Sequence, residues 1–250
     1  MIDFPKMIAD LTPITQNAGH AIMDIYRSGI AAKMKQDGSP VTEADQRAEA
    51  IILSALNEKY PDIAVISEEN TESHSIDAPR RFFLVDPLDG TKEFLKQDGK
   101  GAFTVNIALI ENGIPTMGIV YAPALHRMFT GSQKTGAREN GNAICVRDMP
   151  NTGAVAVASA SHRDADTDQW LSDHSINHTV SIGSSLKFCL LASGEADVYP
   201  RFGPTMEWDT AAGDAILRAA GGTVIHPNGT LFEYGKSDYR NGAFIAKGGV

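Results

Sequence analysis

The sequence is poor in cysteine, tryptophan and basic residues, and each shortage excludes a class of protein. Of 250 residues only Cys145 and Cys189 are cysteines, and they lie far apart, so a disulfide framework is not expected. Both are expected to be buried small side chains. Lysine and arginine total 22 against 31 acidic residues, and the net charge of −9 disfavours a nucleic-acid polymer as partner.

Long apolar runs are also missing. No window approaches the roughly 18 consecutive apolar residues of a membrane span, so no integral membrane segment is expected. The first six residues, 1–6, lack a basic stretch followed by an apolar one, so no export signal is expected either. These absences predict a cytoplasmic protein. Its 42% apolar residues can bury the core of one large domain or two modest ones.

The periodicity of apolar residues changes along the chain. Apolar residues from Ile8 to Ile25 recur every three or four positions, which predicts an amphipathic helix, and Thr42 is placed to cap a second helix ending near Tyr60. Short β-prone runs follow up to Val146. After the turn-rich segment 149–153, strands and helices alternate. We therefore predict an N-terminal α+β domain over residues 1–149 and a C-terminal α/β domain over residues 150–250.

The most informative motif is Asp86-Pro-Leu-Asp-Gly-Thr91, directly after the apolar run 82–85. Two carboxylates three positions apart on a tight turn repel each other unless cations lie between them, and Mg²⁺ prefers such oxygen ligands. Pro87 restricts the backbone and Gly90 allows it to approach a ligand closely. If a helix starts at Thr91, the nearby amides suit a phosphate. The motif therefore predicts a metal-dependent phosphatase, although an ordinary turn with surface acids remains possible for the motif alone.

Further acids occupy comparable positions. Glu68 and Glu69 follow the apolar run 63–66, and Asp209 precedes the helical segment that starts at Thr210. The pattern favours Glu68 as a ligand but leaves Glu69 open. For Asp209, a role as helix N-cap is an equally good local explanation.

Asp45 also has two explanations. It lies three positions after Thr42, which is the spacing of a capping box. The functional alternative is a carboxylate paired with the hydroxyl of Thr91, where the two would orient and deprotonate an attacking water.

Together these segments resemble the lithium-sensitive, Mg²⁺-dependent phosphatases of the inositol monophosphatase superfamily. The motif Asp-Pro-x-Asp-Gly-Thr occurs at residues 86–91, and the motif Trp-Asp-x-Ala-Ala at residues 208–212. Lys92-Glu93-Phe94 after the first motif, together with segments 103–109, 184–189 and 199–204, is similar to the 3′(2′),5′-bisphosphate nucleotidase (CysQ-type) branch. The resemblance implies a layered αβαβα sandwich.

The resemblance also implies roles for individual residues. Two or three Mg²⁺ ions per active site would be held by the side chains of Glu68, Asp86, Asp89 and Asp209 and by the carbonyl of Leu88. Glu68 is thereby preferred over Glu69, and it joins the water-activating pair Asp45 and Thr91 as a catalytic residue. The substrate would contact Glu68, Leu88, Asp89, Gly90, Thr91 and Asp209, with Ser161, His162, Lys187 and Arg201 as candidates for the second phosphate and the base.

The activity implied by the resemblance is hydrolysis of the 3′-phosphate of adenosine 3′,5′-bisphosphate to AMP and phosphate, which disposes of a by-product of sulfate activation. The alternatives are an inositol or sugar monophosphatase using the same metals, and a nucleotide-binding regulator without catalysis. The expected partner is a small bisphosphorylated nucleotide, and the protein would be a monomer or homodimer. The resemblance also allows peripheral association with the inner membrane.

Overall fold

The computed structural model describes residues 2–28, 32–34, 40–96, 101–159 and 164–249. Within these ranges the chain forms two large mixed sheets and helices that pack on their faces. The helices are α1 (Phe4–Ser28), α2 (Glu43–Lys59), α3 (Thr91–Lys96), α4 (Ala165–Asp173), α5 (Leu186–Ala192) and α6 (Ala211–Ala219).

The helix starts follow local sequence signals. Thr42 is the N-cap of α2, with its hydroxyl accepting a hydrogen bond from the Ala44 amide at 3.0 Å. The Asp45 side chain accepts from the Thr42 amide in return, so the predicted capping box is present. The periodic apolar residues of α1 are buried. Both predicted N-terminal helices are therefore confirmed.

The first large sheet has seven strands in the order β3-β4-β5-β6-β7-β8-β9. β3 and β4 are parallel, and the other neighbours are antiparallel. Asn112 and Gly113 adopt positive φ angles of 52° and 77°, which suits the tight hairpin that joins two of these strands. The strands are β3 (Ala64–Ser67), β4 (Arg81–Asp89), β5 (Thr104–Glu111), β6 (Ile114–Ala122), β7 (Arg127–Ser132), β8 (Gly136–Glu139) and β9 (Asn142–Ile144).

The second large sheet has five strands in the order β11-β10-β12-β16-β14. β10 pairs in parallel with β11 and β12, whereas β16 pairs antiparallel with β12 and β14. Its strands are β10 (Val155–Ser159), β11 (His178–Ile182), β12 (Val198–Arg201), β14 (Thr223–Ile225) and β16 (Phe244–Lys247). Two small ribbons pair β1 (Ala32–Met34) with β2 (Pro40–Thr42), and β13 (Thr205–Met206) with β15 (Arg240–Asn241).

Alternation along β4 shows how the layers are assembled. Phe83 and Val85 pack with α1 and α2 in one apolar cluster, whereas Phe82 and Leu84 point to the opposite face and pack with α5, α6 and the second sheet. A third cluster joins the outer face of the second sheet to α4 through Leu171. Three apolar clusters fill the four interfaces between five layers, because the cluster around α5 and α6 contacts both sheets. The predicted layered αβαβα sandwich is therefore confirmed.

The segment between β9 and β10 contains the turn at residues 149–153 that the sequence indicated. The apolar cluster around α6 includes residues from both large sheets, and the division into domains at residues 149 and 150 stays a prediction.

One expectation about cysteines was wrong. Cys189 is buried, but Cys145 is exposed because it follows the short edge strand β9.

Candidate active site

The acids of the Asp86–Thr91 motif lie where β4 leaves the first sheet. The pairing of β4 with β5 shifts register between Asp86 and Asp89, so the strand bulges at this point. The Leu88 amide donates a hydrogen bond to Asp86 Oδ1 at 3.0 Å, which fixes the turn. Gly90 follows with a φ of 89°, a conformation that favours glycine. The bulge directs both carboxylates into one cleft.

This cleft has a volume of about 340 Å³ and receives residues from both large sheets. Its charged lining includes the predicted ligands and two cationic side chains: Glu68, Asp86, Asp89, Asp209, Lys187 and Arg201. Residues that are separated by more than a hundred positions in the sequence therefore meet at one place.

Burial and mutual repulsion perturb the acids strongly. Asp86 is 1% exposed, and burial together with the charges of Glu68, Asp89 and Asp209 holds the pKa of its carboxyl well above the ordinary range. Burial, then the charges of Asp89 and Glu68, raises the pKa of Asp209 in the same way. Four carboxylates thus compete for one poorly solvated volume, and a bound cation would relieve that repulsion.

The two adjacent glutamates have different neighbours. The charge of Glu68 acts on Asp86 and Asp209, whereas the charge of Glu69 acts on Asp45 and on Glu49 of α2. The Glu68 amide donates to the Val85 carbonyl at 3.1 Å, which places this residue beside the end of β4. The geometry therefore favours Glu68 over Glu69 as the neighbour of Asp86.

Asp89 is held by partners that the sequence analysis did not identify. Its Oδ2 accepts hydrogen bonds from the Ser185 amide at 2.6 Å and from Asn106 Nδ2 at 3.2 Å. Asn106 also donates to the Ser185 hydroxyl at 2.9 Å. A polar signal was present, because Asn106 is a buried amide on a central strand whose next residues, 107–110, are apolar, and such an amide needs partners.

The structure resolves the ambiguity at Asp209. Thr210, not Asp209, is the N-cap of α6, and the Oδ2 of Asp209 instead accepts the Met206 amide at 2.7 Å. The Ser185 hydroxyl donates to the Asp209 carbonyl at 2.6 Å. The capping explanation for Asp209 was therefore wrong, and its side chain is oriented by the loop that precedes the helix.

Asp45 takes part in the capping box and also lies within reach of the Thr91 hydroxyl. Its Oδ2 accepts hydrogen bonds from the amide and hydroxyl of Thr42, each at 2.7 Å. Its Oδ1 lies 3.5 Å from the Thr91 hydroxyl, which also lies 3.3 Å from the Leu88 carbonyl. Thr91 lines the cleft and Asp45 lies behind it. Burial raises the pKa of Asp45 despite its bonds to Thr42, which makes its carboxylate a better base.

The donor set fits a hard divalent cation. The side chains offer carboxylate oxygens, and the Leu88 carbonyl lines the same cleft. Within the described ranges, no three acidic, histidine or cysteine side chains are already gathered closely enough to form a metal-binding group. The carboxylates are thus neighbours that repel one another.

Two buried cationic side chains also line the cleft. Lys187 is 6% exposed, its Nζ donates to the Ser184 carbonyl, and burial lowers its pKa to about 8 against the opposing charge of Asp89. Arg201 is 7% exposed, and it donates to the carbonyls of Gly203 and Pro204. The structure therefore brings Lys187 and Arg201 to the site as predicted. The other two candidates, Ser161 and His162, lie outside the described residues.

Comparison with known proteins identifies the family. The model of the inositol monophosphatase family matches residues 6–248. The chain belongs to the inositol monophosphatase family. This confirms the resemblance seen in the motifs and the expectation of a phosphatase of a metal-dependent family.

Curated relatives and solved structures agree with this assignment. The chain is 45% identical to the 3′(2′),5′-bisphosphate nucleotidase CysQ of Salmonella typhimurium over 91% of this chain and 94% of that protein. It is 43% identical to the protein of the same name from Escherichia coli strain K12, with the same coverage. The crystal structure of CysQ from Bacteroides thetaiotaomicron has a TM-score of 0.85 and 36% identity, and covers 98% of each chain.

A broader neighbour is the inositol monophosphatase from Anabaena, with a TM-score of 0.79 and 25% identity over 100% of this chain and 92% of that one. This likeness confirms the fold class independently of the bisphosphate nucleotidases. Among the described residues, no helix is both long enough and apolar enough to cross a membrane.

Proposed function

We propose that the protein is a Mg²⁺-dependent 3′(2′),5′-bisphosphate nucleotidase that hydrolyses the 3′-phosphate of adenosine 3′,5′-bisphosphate to AMP and phosphate. The observation that carries the proposal is a single cleft lined both by the four proposed carboxylate ligands and by two buried cations, Lys187 and Arg201. Relatives at 43–45% identity that are named for this activity support it. In this proposal the enzyme acts in the cytoplasm, as a monomer or homodimer, and recycles a by-product of sulfur assimilation.

The metal ligands follow from the positions of the acids. Glu68, Asp86 and the Leu88 carbonyl would hold one Mg²⁺, and Asp86, Asp89 and Asp209 would hold a second, with two or three ions per site. When bound, these ions supply positive charge that lowers the pKa of water and stabilises the departing alkoxide. The burial of Asp86 keeps this charge poorly screened by solvent.

Thr91 and Asp45 form the proposed proton path. The Thr91 hydroxyl has one proton and two acceptors within reach, Asp45 Oδ1 and the Leu88 carbonyl. When the hydroxyl donates to Asp45, its oxygen lone pairs face the cleft and can accept a proton from an attacking water. Thr42 holds Asp45 through two bonds to Oδ2, so Oδ1 stays directed at Thr91. The two residues thereby orient and deprotonate the water.

The phosphate that is transferred would contact the backbone of Asp89, Gly90 and Thr91, which line the cleft. The positive φ of Gly90 turns the chain here, and a Cβ at this position would lie 3.0 Å from the Ala102 carbonyl oxygen. The phosphoryl group would pass directly to water. In the part of the chain that the structure describes, the cleft lining contains no cysteine or histidine that could act as a nucleophile.

Lys187 and Arg201 are the proposed contacts for the second phosphate. Both are buried cations that line the same cleft as the carboxylates, and a substrate with two phosphates requires positive charge that a simple sugar phosphate does not. This feature favours a bisphosphorylated nucleotide over an inositol or sugar monophosphate. The full set of acids also disfavours a regulator that has lost catalysis.

A substrate panel tests the proposal. At equal Mg²⁺, phosphate release should be faster from adenosine 3′,5′-bisphosphate than from inositol 1-phosphate. Arg201→Gln should raise KM for the bisphosphate by about tenfold or more, and leave the slow release from inositol 1-phosphate unchanged. Equal rates on both substrates would contradict the nucleotide assignment.

Asp86→Asn tests the metal site. This variant should lose turnover while circular dichroism shows that the fold persists, and activity in the variant would contradict the proposed metal site.

A further inference from the structure

A stacked pair of rings joins the two segments that carry Glu68 and Asp209. His74 lies in a 3₁₀ helix, Thr71–Ser75, that follows the Glu68 segment. Its ring stacks on the indole of Trp208, with centroids 4.7 Å apart and planes inclined by 23°. The two residues are 134 positions apart in the sequence.

His74 also holds the end of β3 directly. Its Nε2 lies 2.8 Å from the Ser67 carbonyl, and because a carbonyl only accepts, this nitrogen donates. Ser67 directly precedes Glu68, and Trp208 directly precedes Asp209. One imidazole therefore contacts the residue before each of two proposed ligands.

The surroundings keep the imidazole in place. The Ser73 hydroxyl lies 3.1 Å from the Ser67 amide, and beyond the 3₁₀ helix the Tyr239 hydroxyl donates to the Ile76 carbonyl at 2.5 Å. Trp208 is 4% exposed and so has little freedom to move away. His74 is thus fixed from both sides of the loop that carries it.

We propose that His74 is a positioning residue that sets the separation of the Glu68 and Asp209 carboxylates. These two side chains repel each other through their charges, and without a restraint the segments that carry them would move apart. By linking Ser67 to Trp208, His74 limits how far the two segments that carry the ligands can move apart. Less of the cost of assembling the site then falls on metal binding. This inference rests on the proposed function, because it requires Glu68 and Asp209 to be metal ligands.

The test is calorimetric titration of Mn²⁺ into metal-free protein, which needs no substrate. His74→Ala should weaken Mn²⁺ binding about tenfold, the range typical of residues that orient metal ligands. His74→Phe keeps a ring against Trp208, and His74→Gln keeps a donor near Ser67. Each should therefore weaken Mn²⁺ binding less than His74→Ala does. In the activity assay, His74→Ala should need more Mg²⁺ for half-maximal rate but recover kcat and KM at saturating Mg²⁺.

Two controls make the result specific. His20→Ala removes a histidine from the exposed face of α1 and should bind Mn²⁺ like the wild type. Glu68→Gln should weaken Mn²⁺ binding, and if it does not, the ligand assignment and this inference both fail. If Glu68→Gln weakens binding but the His74 variants do not, only the role of His74 is overturned. If His74→Ala does not fold, the other two variants decide. Wild-type affinity for Mn²⁺ in both His74→Phe and His74→Gln would then overturn the role of His74.

Discussion

The hydroxyl of Thr91 lies 3.5 Å from Oδ1 of Asp45, although 46 positions separate the two residues. Helix α2 supplies one partner and the start of α3 supplies the other, so the pair forms only when α2 is packed against the first sheet. The capping box at Thr42 thus does more than begin a helix. It orients the carboxylate that faces the site.

Thr91→Val should reduce kcat at least about 10²-fold, the lower end of what a positioned acid–base group contributes. Valine has nearly the same volume but can neither donate to Asp45 nor accept a proton. Thr91→Ser keeps the hydroxyl and is the matched control, which should retain most of the rate. Steady-state kinetics at saturating Mg²⁺ measure both, and similar kcat values for the two variants would contradict the proton path.

Adding Mg²⁺ should raise the Tm of the wild-type protein much more than that of the Asp86→Asn variant. In the metal-free protein, Asp86 is buried among Glu68, Asp89 and Asp209, and their repulsion opposes folding. Removing one charge should raise the Tm of the metal-free protein and diminish the further rise on adding Mg²⁺. Scanning calorimetry with and without EDTA checks this. A lower Tm for metal-free Asp86→Asn than for the wild type would contradict it.

Lowering the pH should destabilise the protein partly by protonating the carboxylate of Asp197. Burial alone would raise the pKa of this carboxyl, but hydrogen bonds from Arg147 and the Val155 amide hold it below the ordinary value. A lowered pKa means that the stabilisation is present above the pKa of an unfolded aspartate and is lost as pH falls through the folded one.

The Asp197→Asn variant should therefore be less stable than the wild type at neutral pH, and the difference should shrink as pH falls. Urea unfolding between about pH 3 and pH 7 measures the two free energies. Asp62→Asn, at an exposed position, serves as the control. A difference that stays constant over this range would show that the ion pair with Arg147 carries none of the pH dependence.

Gly118 allows α6 to lie against the first sheet. A Cβ at this position would collide with the Ala212 carbonyl and lie 3.0 Å from the Ala215 side chain. Gly118→Ala should cost about 1–3 kcal/mol of unfolding free energy, typical of overpacking. Gly242→Ala is the control, because nothing lies within 4 Å of its added carbon, and it should change stability by less than about 0.5 kcal/mol. Equal unfolding midpoints for the two variants would contradict this packing.

Local chemistry made much of the site predictable from the sequence. The two N-terminal helices and the capping box at Thr42 depend on neighbours in the sequence, and each was found where expected. The partners of Asp89 were not predicted, because Ser185 reaches it only after α5 and α6 pack between the two sheets. The local sequence also gave a wrong prediction at Asp209, because its side chain accepts a hydrogen bond from the Met206 amide and does not cap α6.

The position of β16 in the second sheet has a consequence for the order of events during synthesis. β16 lies between β12 and β14, so neither of those strands can reach its full pairing until residues 244–247 have left the ribosome. The nascent chain can build the sheet that bears Asp86 long before the layer that secures α6 exists. Completion of the second sheet, and with it the packing of α6 against that sheet, is therefore a late event in the synthesis of this chain.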